Sequence, residues 1–152
     1  MSIYPQLLTK RILSSSLVVR NCNKMTENLL HLKQLVENAL YQHKSIRGIG
    51  IVDVDGVQLY FKLREGLTPL LTDAENQEYA SHAIDRHKNR RRFDGKTGGL
   101  EYGIVKYEKV IRGIIPITDQ FYLLMAFDIE ENNFDEIISK KIVPLMWTFR
   151  QG

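Results

Sequence analysis

The string Asp53-Val54-Asp55-Gly56 is where the chain comes nearest to a catalytic signature. Two aspartates one residue apart, closing the apolar run GIGIV, are residue types that phosphoryl transfer uses, the first as nucleophile and the second as general acid. That chemistry also needs a downstream Lys and a further acidic pair to hold Mg²⁺. The later acids, such as Asp119 and Asp128, are scattered and make no such motif. A calcium loop fails as well, because it needs ligands at alternate positions and a Glu at the twelfth. Asp-Gly between two apolar runs is also a strong hairpin signal. We therefore read Asp53 and Asp55 as parts of a turn and expect no catalytic residue.

The densest charge run is Asp85-Arg86-His87-Lys88-Asn89-Arg90-Arg91-Arg92, with Lys96 close behind. Arg86, Lys88, Arg90, Arg91, Arg92 and Lys96 could grip phosphates or an acidic protein. On a helix these residues spread around the axis, and only Tyr79 and Phe93 lie near enough to stack on bases. A protein partner is expected over nucleic acid, with a solvated helix end as the plain alternative. His82 and Asp85 share a helix face but lack a third ligand, so no metal is expected. Gly95-Lys96-Thr97 is no P-loop, since Arg90 stands where the upstream Gly is required, and no cofactor is expected. The single Cys22 rules out an internal disulfide and a cysteine zinc cluster.

The elements that must position these residues follow from composition and periodicity. The chain has 152 residues, 43% hydrophobic and 26% charged, which suits one globular domain. It has no apolar run of about 18 residues, so no membrane span is expected, and cytoplasm is the default location. The net charge of +3 is concentrated at the start. Lys10, Arg11, Arg20 and Lys24 are four of the 21 basic residues, leaving 17 against 18 acids in residues 25–152. Residues 1–24 read as a basic, poorly ordered extension or as a stretch ahead of a true start at Met25, with a targeting peptide or an ordered extra helix or strand as alternatives. Residues 25–152 read as a single domain.

A helix is expected from Thr26 to Lys44, with Leu29, Leu32, Val36 and Ala39 as its stripe. Next comes a hairpin with Asp55-Gly56 as a two-residue turn. It pairs Val52 with Leu59, Gly50 with Phe61 and Gly48 with Leu63 on one core face. Thr72 and Glu75 form a capping box for a helix from Asp73 to about Arg92. Residues 94–99 are a flexible connector. Strands follow at 100–107, 110–117 and 120–127. The last is apolar on both faces and should be central, and Pro116 should mark a strand end. Asn133 and Glu136 cap a final helix that Pro144 kinks or breaks, with Trp147 and Phe149 as packing anchors.

The order α-ββ-α-βββ-α resembles roadblock-type domains within the profilin-like group. The pieces SIRGIGIVDVDGVQLYFKLREGLTPLL, the helix ending in RRRFD, YGIVKYEKVIRGIIPI and FYLLMAFD look like those of short uncharacterised archaeal proteins, over roughly residues 45–128. The resemblance implies an α+β fold: a five-stranded antiparallel sheet with helices on both faces. It also implies a homodimer built on an edge strand and a helix, acting as a platform for small GTPases or signalling partners.

The expected function is thus a non-enzymatic regulatory or scaffold domain, a homodimer whose edge includes Leu100, Tyr102 and Ile104. The first alternative is a small-ligand sensor with a pocket between the sheet and the middle helix. The second is a nucleic-acid binder using Lys88 to Lys96.

Overall fold

Helix α1 runs Tyr4–Leu40 without a break. The helix expected to begin at Thr26 is therefore the second part of a longer one. The structure is a computed structural model that describes residues 4–151, with side chains for residue 20 and residues 22–150. Residues 1–3 of the stretch read as an extension lie outside the described residues. The chain divides into two compact units, Met1–Leu32 and Lys33–Gly152.

The second unit holds one antiparallel sheet of β1 (Ile46–Asp53), β2 (Gln58–Leu63), β3 (Gly103–Lys106), β4 (Val110–Pro116) and β5 (Phe121–Asp128). Its order is β2-β1-β5-β4-β3. The α+β class, the five strands and the central place of β5 are as the sequence predicts, and β4 stops at Pro116, which has no N–H for a ladder. Helix α2 (Asp73–Arg91) opens on the expected capping box: Glu75 N–H donates to Thr72 Oγ1 at 3.2 Å and Thr72 N–H to Glu75 Oε2 at 2.7 Å. Residues 94–97, expected to be a loose connector, form a one-turn helix α3 (Asp94–Thr97).

Helices cover both faces of the sheet, and the faces differ. Val52, Ile114 and Tyr122 pack against Ala80 and Ile84 of α2. On the opposite face Ile49, Ile51, Ile111, Ile115, Leu123, Met125 and Phe127 are each no more than 2% exposed. There Glu37, on the last turns of α1, accepts from Tyr60 at 2.5 Å. Ile138 of the C-terminal helix covers Gly113, its Cδ1 3.5 Å from where a Cβ would stand. The glycine row of β1 was expected to face the core. The better-filled core is on the isoleucine side, because Gly48 and Gly50 leave the α2 side short of side-chain volume.

The hairpin register holds at Gly48↔Leu63 and Gly50↔Phe61, then slips: a bulge after Ile51 pairs Val52 with Gln58 rather than Leu59. The turn has three residues, not two. Asp53 N–H donates to Val57 O and Gly56 N–H to Asp53 O, each at 3.0 Å. Within the turn only Gly56 has positive φ, at 83°, whereas a type I′ turn needs two such residues. Asp53 Oδ1 accepts from the N–H groups of Asp55 and Val57, both at 2.9 Å.

The C-terminal helix also departs from expectation. The Asn133 side chain makes no capping hydrogen bond, its backbone lying at φ −103°, ψ 23°. The helix does not end at Pro144. It runs as α4 (Phe134–Ile137), a π-helical turn (Ile138–Ile142) and α5 (Val143–Gln151). Proline lacks an N–H and its ring crowds the carbonyl four residues back; the wider turn before Pro144 makes room for it. Met146 is fully buried, whereas Trp147, expected as an anchor, is 47% exposed.

Two arginines tie loops to elements. Arg64 donates from Nε to Ile46 O at 2.9 Å and from Nη2 to Leu40 O at 2.5 Å and His43 O at 2.8 Å. It thereby serves the Leu40 carbonyl at the end of α1 and adds a second donor to His43 O, which also accepts from Ile46 N–H at 3.2 Å. Arg150 donates to Ile117 O and Pro116 O, each at 2.6 Å.

Candidate functional site

The inner stripe of α2 carries Asn76, Ala80, Ala83, Ile84 and His87, all buried. Polar Asn76 at one end and His87 at the other mark two hollows.

The first hollow is a cavity of about 400 Å³ between the sheet and the start of α2. Gly48 contributes no side chain, so Phe61, Leu63, Leu71 and Val110 wall a space rather than meet. Arg112 of β4 points into it. Alternation along β4 puts Arg112 on the same face as Ile114, which packs on α2. Its guanidinium lies 4.0 Å over the Tyr79 ring and donates to Asn76 Oδ1 at 3.3 Å. Burial lowers the Arg112 pKa below the ordinary arginine value. Burial, followed by a hydrogen bond with Tyr107, pushes Tyr79 up to about 12. Arg112 makes no ion pair among the described residues. Arg47, on the cavity wall, pairs with Asp128 at 2.9 Å.

The second hollow is a groove of about 450 Å³ lined by His87, Arg91, Asp94, Pro116, Asp119 and Arg150. His87 is 4% exposed and meets Tyr122 edge-on at 4.8 Å. Its Nδ1 is buried with no partner among the described residues. Burial, with the nearby Arg91 charge, lowers its pKa.

The basic residues picked from sequence do not gather in one patch. Arg86 stacks on Tyr79 at 5.5 Å. Arg90 reaches β3, its Nη1 3.4 Å from the Cβ position of Gly103. Arg91 turns toward Asp94, at 3.8 Å. Lys88, Arg92 and Lys96 are exposed. His82 pairs with Glu78 at 3.6 Å rather than with Asp85. Asp53 is held in its turn by two backbone N–H groups and faces no acidic partner motif.

Of the expected dimer-edge residues, only Ile104 lies in β3; Leu100 and Tyr102 precede the strand. The Tyr102 hydroxyl donates to Asp135 instead. Tyr107 N–H bonds to Val110 O at 2.9 Å, so by antiparallel alternation the peptide groups of Ile104 and Lys106 point away from β4. The ladder between β3 and β4 is regular. The other edge differs: β2 carries the bulge, and the outward N–H of Gln58 is occupied by Gln77 Oε1 at 2.8 Å.

Arg112 was missed in the sequence, although a lone Arg in the apolar run VIRGIIPI is a visible signal. A charge that shares a strand face with core residues needs a partner or a cavity.

No family model matches the chain, and no curated protein matches it in sequence. Solved structures do match in fold. A Roadblock/LC7 domain from Streptomyces avermitilis has TM-score 0.60 at 11% identity, over 78% of this chain and 93% of that one. The gliding protein MglB from Thermus thermophilus has TM-score 0.60 at 12% identity, over 78% and 87%. An MglB with tetrameric arrangement has TM-score 0.64 at 11% identity, over 82% and 90%. At these identities the likeness establishes the Roadblock/LC7 fold.

Proposed function

We propose that this chain is a non-enzymatic regulatory or scaffold domain that pairs with a second copy of itself through β3 and presents α2 to a protein partner, with a small GTPase as the first candidate. The observation that carries this reading is the free, regular edge of β3. The outward peptide groups of Ile104 and Lys106 offer a strand-pairing template. The competing edge is blunted by a bulge and by Gln77. The exposed Val105 and Tyr107 beside it add apolar area to such a seam. A solved MglB of like fold is described with a tetrameric arrangement, which supports assembly as a mode of action for the fold.

Sedimentation equilibrium tests the pairing. Lys106→Pro removes one outward N–H and leaves the inward bonds of Val105 and Tyr107 in place. The wild type is expected to be a dimer at micromolar concentration and Lys106→Pro to weaken it at least tenfold. A wild-type monomer at about 200 μM, a concentration at which any pairing tighter than about 5 kcal/mol would be populated, refutes the pairing.

A further inference from the structure

The cavity under α2 has a composition that self-association at β3 does not explain. Its wall includes Arg47, Lys109 and Arg112 and no Asp or Glu. Arg47 is neutralised by Asp128. Arg112 has no carboxylate partner among the described residues, and it lies at the inner, sheet side of a space whose apolar walls include Phe61, Leu63, Leu70, Leu71 and Val110. A guanidinium offers five N–H donors. The stacking on Tyr79 and the bond to Asn76 fix its plane without consuming its charge. A cation kept partly out of water costs free energy unless an anion joins it. The cavity's volume is in the range of small-molecule sites, and its chemistry is apolar walls with the oriented charge of Arg112 inside and the exposed Lys109 beside it.

We propose that this cavity binds an amphipathic organic anion, a small monocarboxylate with an aliphatic or aromatic body. Its carboxylate pairs with Arg112 in a two-pronged contact, and its apolar body lies against Phe61, Leu63 and Val110. Gly48 is part of the device: a side chain there enters the cavity wall, and its Cβ would stand 3.1 Å from Lys62 O. Asn76 and Tyr79 are positioning residues that hold the guanidinium plane. This site sits on the face of the sheet that α2 covers, so a bound anion adds contacts between α2 and the sheet.

Isothermal titration of the full chain with octanoate and with 1-octanol tests this, since the two share a tail and differ in charge. Octanoate is expected to bind one to one, at least tenfold tighter than octanol. Arg112→Met keeps the length of the aliphatic stem, removes the charge and is expected to weaken octanoate at least tenfold while leaving octanol unchanged. Leu70 is 55% exposed at the cavity lip, so Leu70→Asp leaves the core untouched and is expected to weaken octanoate by charge repulsion. Circular dichroism checks that both variants fold; if Arg112→Met does not, Leu70→Asp decides. Equal binding of octanoate and octanol, no binding of octanoate, or octanoate binding unaltered in the folded variants overturns the proposal. A peptide with an apolar C-terminus that displaces octanoate at lower concentration overturns it too, and assigns the cavity to a protein segment. Dimerisation is read separately by sedimentation, so the fate of this site does not depend on the β3 pairing.

Discussion

Replacing Arg64 with Met should cost about 3 kcal/mol of folding free energy. Its guanidinium donates to three backbone carbonyls, those of Leu40, His43 and Ile46, between 2.5 and 2.9 Å. A hydrogen bond to a charged group is worth about 1.5–3 kcal/mol. The site is only partly buried, so water can recover some of what the carbonyls lose, and the sum falls to about 3 kcal/mol, below the roughly 4.5 kcal/mol that three such bonds would give at their weakest. Methionine matches the length of the stem and brings no donor, which confines the change to the hydrogen bonds. Arg64→Lys keeps the charge but presents a compact ammonium in place of a planar fork, so about half the loss is expected. The measurement is urea unfolding followed by far-UV circular dichroism. The midpoint should drop with the slope unchanged, and the melting temperature should fall by about 9 °C. A loss under about 0.5 kcal/mol for Arg64→Met, the scale of an ordinary surface change, would refute the claim that this side chain closes the end of α1 onto β1.

Two further outcomes follow from single groups. Asp53→Ala removes the acceptor for Asp55 and Val57 N–H and should cost about 1–2 kcal/mol in urea unfolding; Asp53→Asn, which keeps an acceptor oxygen, should cost markedly less. His87 is buried with its pKa lowered, chiefly by that burial. The unfolded chain therefore takes up a proton near pH 6.5 that the folded chain refuses. Stability should fall as pH drops from about 6.5 toward the folded pKa, by at most about 1.4 kcal/mol per pH unit. His87→Phe, which keeps the edge contact with Tyr122, should flatten the dependence of the urea midpoint between pH 7.5 and 5.5.

What the sequence disclosed depended on whether a feature is local. The Thr72–Glu75 capping box is a contact between residues three apart, and it forms as read. The run FYLLMAFD has no polar face, and it occupies the centre of the sheet. The hairpin was legible only as far as alternation reaches. Period two fixes the pairs Gly50–Phe61 and Gly48–Leu63, but it carries no information on whether the turn takes two residues or three, so the bulge escaped. Asn133 had the right spacing to Glu136 and the wrong backbone angles. Pro144 was read for its local cost, whereas packing of Ile138, Ile142 and Met146 holds the helix together across it. The cavity was anticipated only as a place between sheet and middle helix. Its charge comes from a residue on β4 meeting residues on α2, a meeting decided by the fold. The basic end of α2 was legible as charge and illegible as direction, since Arg86, Arg90 and Arg91 diverge once neighbours exist.

The bulge and the Gln77 amide on β2 bear on the size of any assembly. A sheet that could extend from both edges would join head to tail, and such contacts propagate without limit into filaments. Here β3 is regular throughout, whereas β2 is interrupted at its start. A copy that meets another through β3 must present the same strand in return, which places a two-fold axis between them and exhausts the free edge on both. In the proposed pairing, Gln77 and the bulge at Ile51 would act as a stop codon for assembly, ending sheet growth after a single addition.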